Sequence, residues 1–129
     1  MNMIHKLSDN EFIAYKHYKS KQKALPTIVF LHGLMSDMNG TKAQSIMQHC
    51  LAEDISFFAF DNFGCGKSSG VFEEQTISKW LEGALSVMKL CDDHGVILVG
   101  SSAGAWTSLL VAPAKPINSS WTYSNRPRP

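Results

Sequence analysis

Short, uninterrupted apolar runs alternate along the chain with longer segments in which apolar residues recur every three or four positions. Runs of this length, bounded by turn residues, are typical of strands that are covered on both faces of a parallel sheet. They occupy residues 27–31, 57–60 and 96–99. A fourth segment, residues 12–18, is rich in aromatic and β-branched types and also predicts a strand.

Three segments have the periodicity of helices with one buried face. In the first, the apolar positions are Ala43, Ile46, Met47, Cys50 and Leu51. In the second, they are Ile77, Trp80, Leu81, Ala84, Leu85, Met88 and Cys91. The third segment covers residues 104–112 and ends before Pro113. We expect its inward side chains to be those of Trp106, Leu109 and Leu110.

The alternation of strands and helices predicts an α/β fold with a mostly parallel sheet and flanking helices, ending after the third helix. In such sheets the functional loops follow the carboxyl ends of the strands. Three loops fall at this edge, at residues 32–34, 61–70 and 100–104. We therefore look for a functional site where these loops meet.

The loop with the most chemical information is Gly100-Ser101-Ser102-Ala103-Gly104, directly after the third apolar run. The pattern G-x-S-x-G between a strand and a helix predicts a sharp turn, a nucleophile elbow, that lifts one serine hydroxyl above the sheet. Ser102 is the predicted catalytic nucleophile, and the small residues Gly100 and Gly104 allow the turn. The backbone N–H of Ala103, at a helix N-terminus, is suited to stabilise an oxyanion.

The loop that starts at Asp61 has two interpretations. Its Gly66-Lys67-Ser68 suggests a phosphate loop, and hence a nucleotide-binding protein. That motif, however, requires a glycine where this chain has Asp61 and a helix that begins at the lysine. A carboxylate would also repel a phosphate. We therefore favour a strand-end turn of the form D-x-x-G-x-G-x-S.

In chain order, the HG pair at 32–33, the turn at 61–68 and the G-x-S-x-G pattern resemble the front half of the α/β-hydrolase superfamily. Residues 38–43, 61–66, 76–80 and 100–106 are similar, more narrowly, to the subgroup that contains the mitochondrial palmitoyl-protein thioesterase and acyl-glucuronide esterase and its bacterial relatives. The resemblance extends from about Ile28 to Leu110. It does not reach the C-terminal segment.

The resemblance implies roles for the first loop. His32 and Gly33 would shape it, and the backbone N–H of Leu34 would be the second oxyanion donor. His32 would be structural rather than the catalytic base, since it precedes the serine. The family order is Ser…Asp…His, with the acid and the histidine contributed after later strands. It implies hydrolysis of carboxylic esters or acyl thioesters, with no cofactor and no metal.

All five histidines of this sequence precede Ser102. A serine without an adjacent base is a poor nucleophile. We therefore expect the chain to be a fragment of a serine hydrolase, inactive alone and completed by a second polypeptide that carries aspartate and histidine. Its substrate would then be a small acyl compound. The alternative is a non-catalytic interaction module whose third apolar run forms an exposed sheet edge and pairs with another chain.

The overall composition limits the partners and the location. The net charge of +1 and the hydrophobic content of 44% give no reason to expect nucleic acid or a membrane as partner. Cys50, Cys65 and Cys91 are widely spaced, which predicts reduced thiols, no metal site and a cytoplasmic location.

Residues 113–129 hold four of the five prolines. We expect residues 1–112 to form the hydrolase portion and 113–129 a disordered or non-homologous tail.

Overall fold

The computed structural model describes residues 2–22, 25–91 and 95–112, together with the backbone of 120–125. Six strands form one sheet: β1 (Met3–Lys6), β2 (Phe12–Tyr18), β3 (Thr27–Leu31), β4 (Phe57–Phe60), β5 (Val96–Ser101) and β6 (Ser120–Asn125). Their order across the sheet is β1-β2-β4-β3-β5-β6. The pairs β1–β2 and β2–β4 are antiparallel, and the other three pairs are parallel. The predicted α/β fold with a mostly parallel sheet is confirmed.

Three helices cover the two faces of this sheet: α1 (Thr41–Glu53), α2 (Ile77–Val87) and α3 (Ala103–Val111). On one face, Ala43 and Cys50 of α1 belong to a core cluster with alternate residues of β3, β4 and β5. On the other face, α2 and α3 pack on the remaining residues of the same strands. Because the central strands are covered on both sides, their sequences are continuously apolar rather than alternating.

The prediction that β5 forms an exposed edge of the sheet is wrong. β6 pairs with β5 in parallel, from Ile97 opposite Ser120 to Gly100 opposite Tyr123. The outer N–H and C=O groups of β5 therefore have a partner strand, which an apolar edge strand requires to avoid pairing with other chains. The sheet also continues beyond α3, although the sequence predicted that the architecture ends there.

The strand β6 lies within the segment 113–129, for which we expected a disordered or non-homologous tail. The rest of that segment, including Pro113, lies outside the described residues. The division of the chain into a hydrolase portion, residues 1–112, and a tail therefore stays a prediction. Within the described ranges, no helix is both long enough and apolar enough to cross a membrane.

The predicted orientation of α3 is wrong. Trp106 is 66% exposed, and Leu109 and Leu110 are each 38% exposed. The inward residues are Gly104, Ala105, Thr107, Ser108 and Val111. The hydroxyls of Thr107 and Ser108 donate to backbone carbonyls one turn earlier in the helix, at 3.1 and 2.8 Å, so their burial leaves no polar group unpaired. Small size, rather than hydrophobicity, decides which face of this helix meets the sheet.

Candidate functional site

Ser102 lies at the junction of β5 and α3, at the carboxyl edge of the sheet. Its backbone has φ 57° and ψ −118°, a conformation that non-glycine residues rarely adopt. The turn leaves the residue exposed, although Gly100 before it and Gly104 after it are buried. A strained, exposed serine between a buried strand and a helix N-terminus is the geometry that the G-x-S-x-G pattern predicts.

The glycines on either side of Ser102 are required by close backbone contacts. A Cβ atom on Gly100 would lie 2.5 Å from the carbonyl oxygen of Gly104. A Cβ atom on Gly104 would overlap the carbonyl oxygen of Leu31, at the end of β3. The first residues of α3 therefore pack directly against the backbone of the neighbouring strand. This contact fixes the height of Ser102 above the sheet.

Gly33 joins the first loop to the turn that carries Ser102. A Cβ atom on Gly33 would lie 2.8 Å from the carbonyl oxygen of Ser101 and 3.0 Å from the Cβ of Ser102. Its absence lets the two backbones meet, and Leu34 follows directly at the side of Ser102. Ala103 is the first residue of α3, so its N–H has no partner within the helix. The two residues predicted as oxyanion donors, Leu34 and Ala103, each directly follow a residue of this contact, Gly33 and Ser102.

His32 is buried and fully engaged in hydrogen bonds. Its Nδ1 donates to the carbonyl oxygen of Gly33 at 2.7 Å, and its Nε2 accepts from the backbone N–H of Asn62 at 2.9 Å. This pattern requires the neutral ring with the proton on Nδ1. Burial also lowers the pKa of His32 below its ordinary value. With its only lone pair occupied, the ring cannot take a proton from Ser102, which supports the structural role predicted for it.

Asp61 connects the first two loops. Its buried carboxylate accepts from the backbone N–H of Met38 at 2.8 Å through Oδ1 and from that of Lys67 at 2.9 Å through Oδ2. Met38 lies four residues after Leu34, so one carboxylate holds both the first loop and the turn after β4. The position of Asp61, directly after a buried strand, is the only signal of this role in the sequence. Its function as a link between loops was not predicted.

The same carboxylate excludes a phosphate loop. A Cβ atom on Gly66 would overlap Oδ2 of Asp61, so the acid fills the space inside the turn. The backbone N–H of Lys67, which would face a phosphate, instead donates to Asp61. Ser68 donates to the Asp61 carbonyl at 2.6 Å and accepts from Ala14 N–H at 2.9 Å. The segment Gly66-Lys67-Ser68 therefore fastens the turn to β2 and has no cradle for a nucleotide.

A cavity of about 220 Å³ opens beside Ser102. Its lining residues are Phe30, Gly33, Leu34, Ser36, Asp37, Gly40, Thr41, Lys42, Ser101 and Ser102. The ammonium group of Lys42 donates to the Ser101 hydroxyl at 3.4 Å. Among the described residues that line this cavity there is no histidine. Lys42 and Asp37 were not predicted, because nothing in their local pattern distinguishes them from ordinary surface charges.

The cysteines are not candidates for the nucleophile. Cys50, Cys65 and Cys91 are buried, and none of them forms a disulfide bond within the described residues. Burial raises the pKa of the Cys65 thiol to about 11, and the charges of Asp61 and Asp37 add to the rise. The thiol is therefore protonated at neutral pH. In the described part of the chain, no group of three His, Cys, Asp or Glu residues is placed to hold a metal ion.

Replacing Ser102 by glycine is expected to stabilise the fold. Glycine adopts φ 57° without steric cost, so Ser102→Gly should gain about 1 kcal/mol in the free energy of unfolding despite the more flexible unfolded chain. Ser102→Ala is the matched control. Because alanine keeps the Cβ atom, this variant should not gain free energy of unfolding. Urea unfolding of both variants measures the difference. Equal stabilities would mean that the turn stores no strain.

Comparison with known proteins gives one family and several relatives. The profile of the family described as alpha/beta hydrolase fold matches residues 26–119. The human protein named palmitoyl-protein thioesterase ABHD10, mitochondrial, is 42% identical over 104 residues, which are 81% of this chain and 33% of that protein. The bovine protein of the same name is 40% identical over the same lengths. This chain thus spans about a third of the length of the curated relatives that it matches.

A solved structure from mouse, alpha/beta hydrolase domain-containing protein 10, superimposes with a TM-score of 0.83 and 35% identity. The match covers 92% of this chain and 46% of the mouse chain. The resemblance drawn from the three loop motifs is therefore confirmed. The predicted cytoplasmic location is wrong by the same comparison, since the curated relatives are named as mitochondrial proteins.

Proposed function

This chain belongs to the α/β-hydrolase fold family, and we propose that it forms the nucleophile-bearing portion of a serine hydrolase for carboxylic esters or acyl thioesters. The observation that carries the proposal is the backbone of Ser102, with φ 57° between a buried strand and a helix N-terminus. Backbone strain of this kind is concentrated at active sites, where it holds a reactive side chain in a fixed position.

The proposed reaction starts with attack of the Ser102 hydroxyl on the substrate carbonyl. A negative charge then develops on the carbonyl oxygen, and the backbone N–H groups of Ala103 and Leu34 would donate to it. The positive end of the α3 dipole favours the same charge. Collapse of this tetrahedral species expels the alcohol or thiol, and water then hydrolyses the acyl-serine.

The proton of Ser102 must pass to a base, and the described histidines are unsuited to this step. His32 uses both ring nitrogens in hydrogen bonds. His5 is hydrogen-bonded to Ser86 at 3.0 Å, and His17 packs edge-on against Phe58. His49 lies in α1 eight residues beyond Thr41, about 12 Å along the helix from the cavity beside Ser102. We infer that the base and its orienting carboxylate come from residues outside this sequence, either on a longer chain or on a second polypeptide.

The substrate class rests on the family and on the names of the relatives. The curated relatives are named palmitoyl-protein thioesterases, which supports an acyl thioester as substrate. Carboxylic esters share the same carbonyl chemistry and the same tetrahedral species. The proposed ligand is therefore an acyl compound that reaches Ser102 through the cavity beside it.

Labelling with a fluorophosphonate probe tests the proposal. We expect slow modification of Ser102 in the 129-residue chain and faster modification when a polypeptide supplying the aspartate and histidine is added. Ser102→Ala should abolish the label, and the neighbouring Ser101→Ala should retain it. Mass spectrometry of the labelled peptide identifies the modified residue.

Two results would contradict the proposal in different ways. Rapid labelling of Ser102 in the chain by itself would mean that the base lies within these residues. A label that persists in Ser102→Ala would mean that another residue is the nucleophile. The alternative of an interaction module loses its main support, because β6 covers the edge of β5 through which it would act.

A further inference from the structure

Asn62 is a buried polar residue with one satisfied and one unsatisfied side-chain atom. It follows Asp61 at the carboxyl end of β4 and is 1% exposed. Its amide nitrogen Nδ2 donates to Nε2 of His32 at 3.2 Å. Its amide oxygen Oδ1 is buried and has no hydrogen-bond partner among the described residues. A buried acceptor without a donor lowers the free energy of unfolding, so an apolar side chain of similar size would be less costly here.

The orientation of this amide follows from the histidine that it faces. Nε2 of His32 also accepts from the backbone N–H of Asn62 at 2.9 Å, so this nitrogen carries a lone pair and no proton. The side-chain group beside it is therefore the NH₂ group and not the oxygen. Asn62 thus presents two donors to Nε2, and both disfavour a proton there. The single proton of the neutral ring is held on Nδ1.

The proton on Nδ1 of His32 fixes the peptide group between Gly33 and Leu34. Nδ1 donates to the carbonyl oxygen of Gly33 at 2.7 Å. The C=O and N–H of a trans peptide point in opposite directions, and no described peptide bond is cis. The N–H of Leu34 therefore points away from the His32 ring. A ring with its proton on Nε2 would instead place a lone pair against the Gly33 oxygen and release this peptide group.

The strand order shows what lies in the direction of this N–H. The His32 ring is on the β4 side of β3, since its Nε2 is bonded to the residue that follows β4. The neighbour of β3 on the opposite side is β5, which leads into Ser102. The N–H of Leu34 is thus directed to the side of the sheet where Ser102 lies. Among the described residues, none accepts a hydrogen bond from it.

These contacts form a continuous chain from a buried amide to a predicted oxyanion donor. We propose that Asn62 is a positioning residue: its side-chain amide keeps His32 in the Nδ1-protonated form, which directs the N–H of Leu34 toward the developing oxyanion. Asn62 does not line the cavity beside Ser102 and acts only through the histidine. This role accounts for an amide with an unsatisfied oxygen at a buried position. The inference rests on the proposed function of Ser102.

Nitrogen-15 NMR of the histidine rings in the full chain tests the first step. In the unmodified chain, the signals of His32 should show the proton on Nδ1. Asn62→Asp keeps the shape of the side chain but places a carboxylate at Nε2. This nitrogen should then bind a proton, and the proton affinity of His32 should rise at least about tenfold. The matched control Asn10→Asp alters an exposed asparagine and should leave the His32 signals unchanged.

Slow fluorophosphonate labelling of Ser102 in the full chain tests the second step. Asn62→Leu removes the NH₂ donor together with the unsatisfied oxygen, so the urea midpoint should not fall. The labelling rate should nevertheless fall at least about fivefold, because an oxyanion donor loses its fixed direction. The backbone amide signal of Leu34 should move in the same variant. Asn10→Leu, the matched control, should change neither the rate nor this signal.

The outcomes separate this inference from the proposed function. An unchanged proton position and pKa of His32 in Asn62→Asp would overturn the inference, because the amide would then not control the ring. Equal labelling rates for Asn62→Leu and the unmodified chain, corrected for the folded fraction, would overturn it while the proposed function stands. If the His32 and Leu34 signals respond as expected but Ser102 is never labelled in any chain, the proposed function fails, although Asn62 still directs the N–H.

Discussion

Gly104→Ala is expected to destabilise the fold by about 3 kcal/mol or more, although alanine is normally the better helix former. In an open helix this substitution gains about 1 kcal/mol. At Gly104 the added Cβ would overlap the Leu31 carbonyl oxygen and lie 2.7 Å from that of His32. Both obstacles are backbone atoms, so α3 must move away from β3, and overpacking of this kind outweighs the helical gain.

Urea denaturation of the Gly104→Ala chain measures the loss, and Gly40→Ala is its matched control. A Cβ atom on Gly40 would lie 3.1 Å from the end of the Ser36 side chain, which can rotate away. The control should change the free energy of unfolding by less than about 1 kcal/mol. A Gly104→Ala chain as stable as the Gly40→Ala chain would contradict the tight contact between α3 and β3. The height of Ser102 above the sheet would then have another cause.

Asp61→Ala is expected to cost about 3 kcal/mol or more in the free energy of unfolding. The carboxylate is 1% exposed and accepts from the N–H groups of Met38 and Lys67. Its removal leaves the buried Met38 N–H without an acceptor, which costs about 1–3 kcal/mol, and it also removes the partly buried bond to Lys67 and opens a cavity in the core. The loop that carries Leu34 then loses its link to the turn after β4. Urea denaturation gives the total cost, and amide hydrogen exchange at Met38 and Lys67 localises it.

Asp37→Ala serves as the control for Asp61→Ala. Asp37 also accepts a backbone hydrogen bond, from Asn39 at 2.8 Å, but this bond lies at the exposed surface. Water replaces the lost acceptor there, so the cost should stay below about 1 kcal/mol. Similar losses for the two variants would mean that the buried carboxylate does not hold the loops together.

The sequence predicted the final bounds of three strands: β3 and β4 from their apolar runs, and β2 from its aromatic and β-branched residues. Such runs are informative because a strand covered on both faces has no position that tolerates a polar side chain. β1 and β6 were not predicted. The residues of β1, Met3–Lys6, alternate between half-buried and exposed and include two polar residues, so they resemble a polar terminus. The partner of β6 is β5, which lies far from it in the chain and leaves no local pattern in either sequence.

The orientation of α3 could not be predicted from hydrophobicity. Trp106, Leu109 and Leu110 form its most apolar positions, but the helix meets the strands at a distance that only small residues allow. Thr107 and Ser108 can be buried because their hydroxyls donate to the helix's own backbone. Distances between backbones are a property of the packed structure, and a pattern of apolar residues contains no information about them.

By itself, the sequence determined the α/β fold, the central strands, the three loops at the carboxyl edge and the identity of Ser102 as the candidate nucleophile. Each of these depends on local spacing or on residue types that few conformations accept. The tertiary structure alone decided that Asp61 joins two loops, that His32 has no lone pair left for catalysis and that Gly104 meets the backbone at the end of β3. These features arise where strands distant in the chain end side by side, and only the folded sheet brings their loops together.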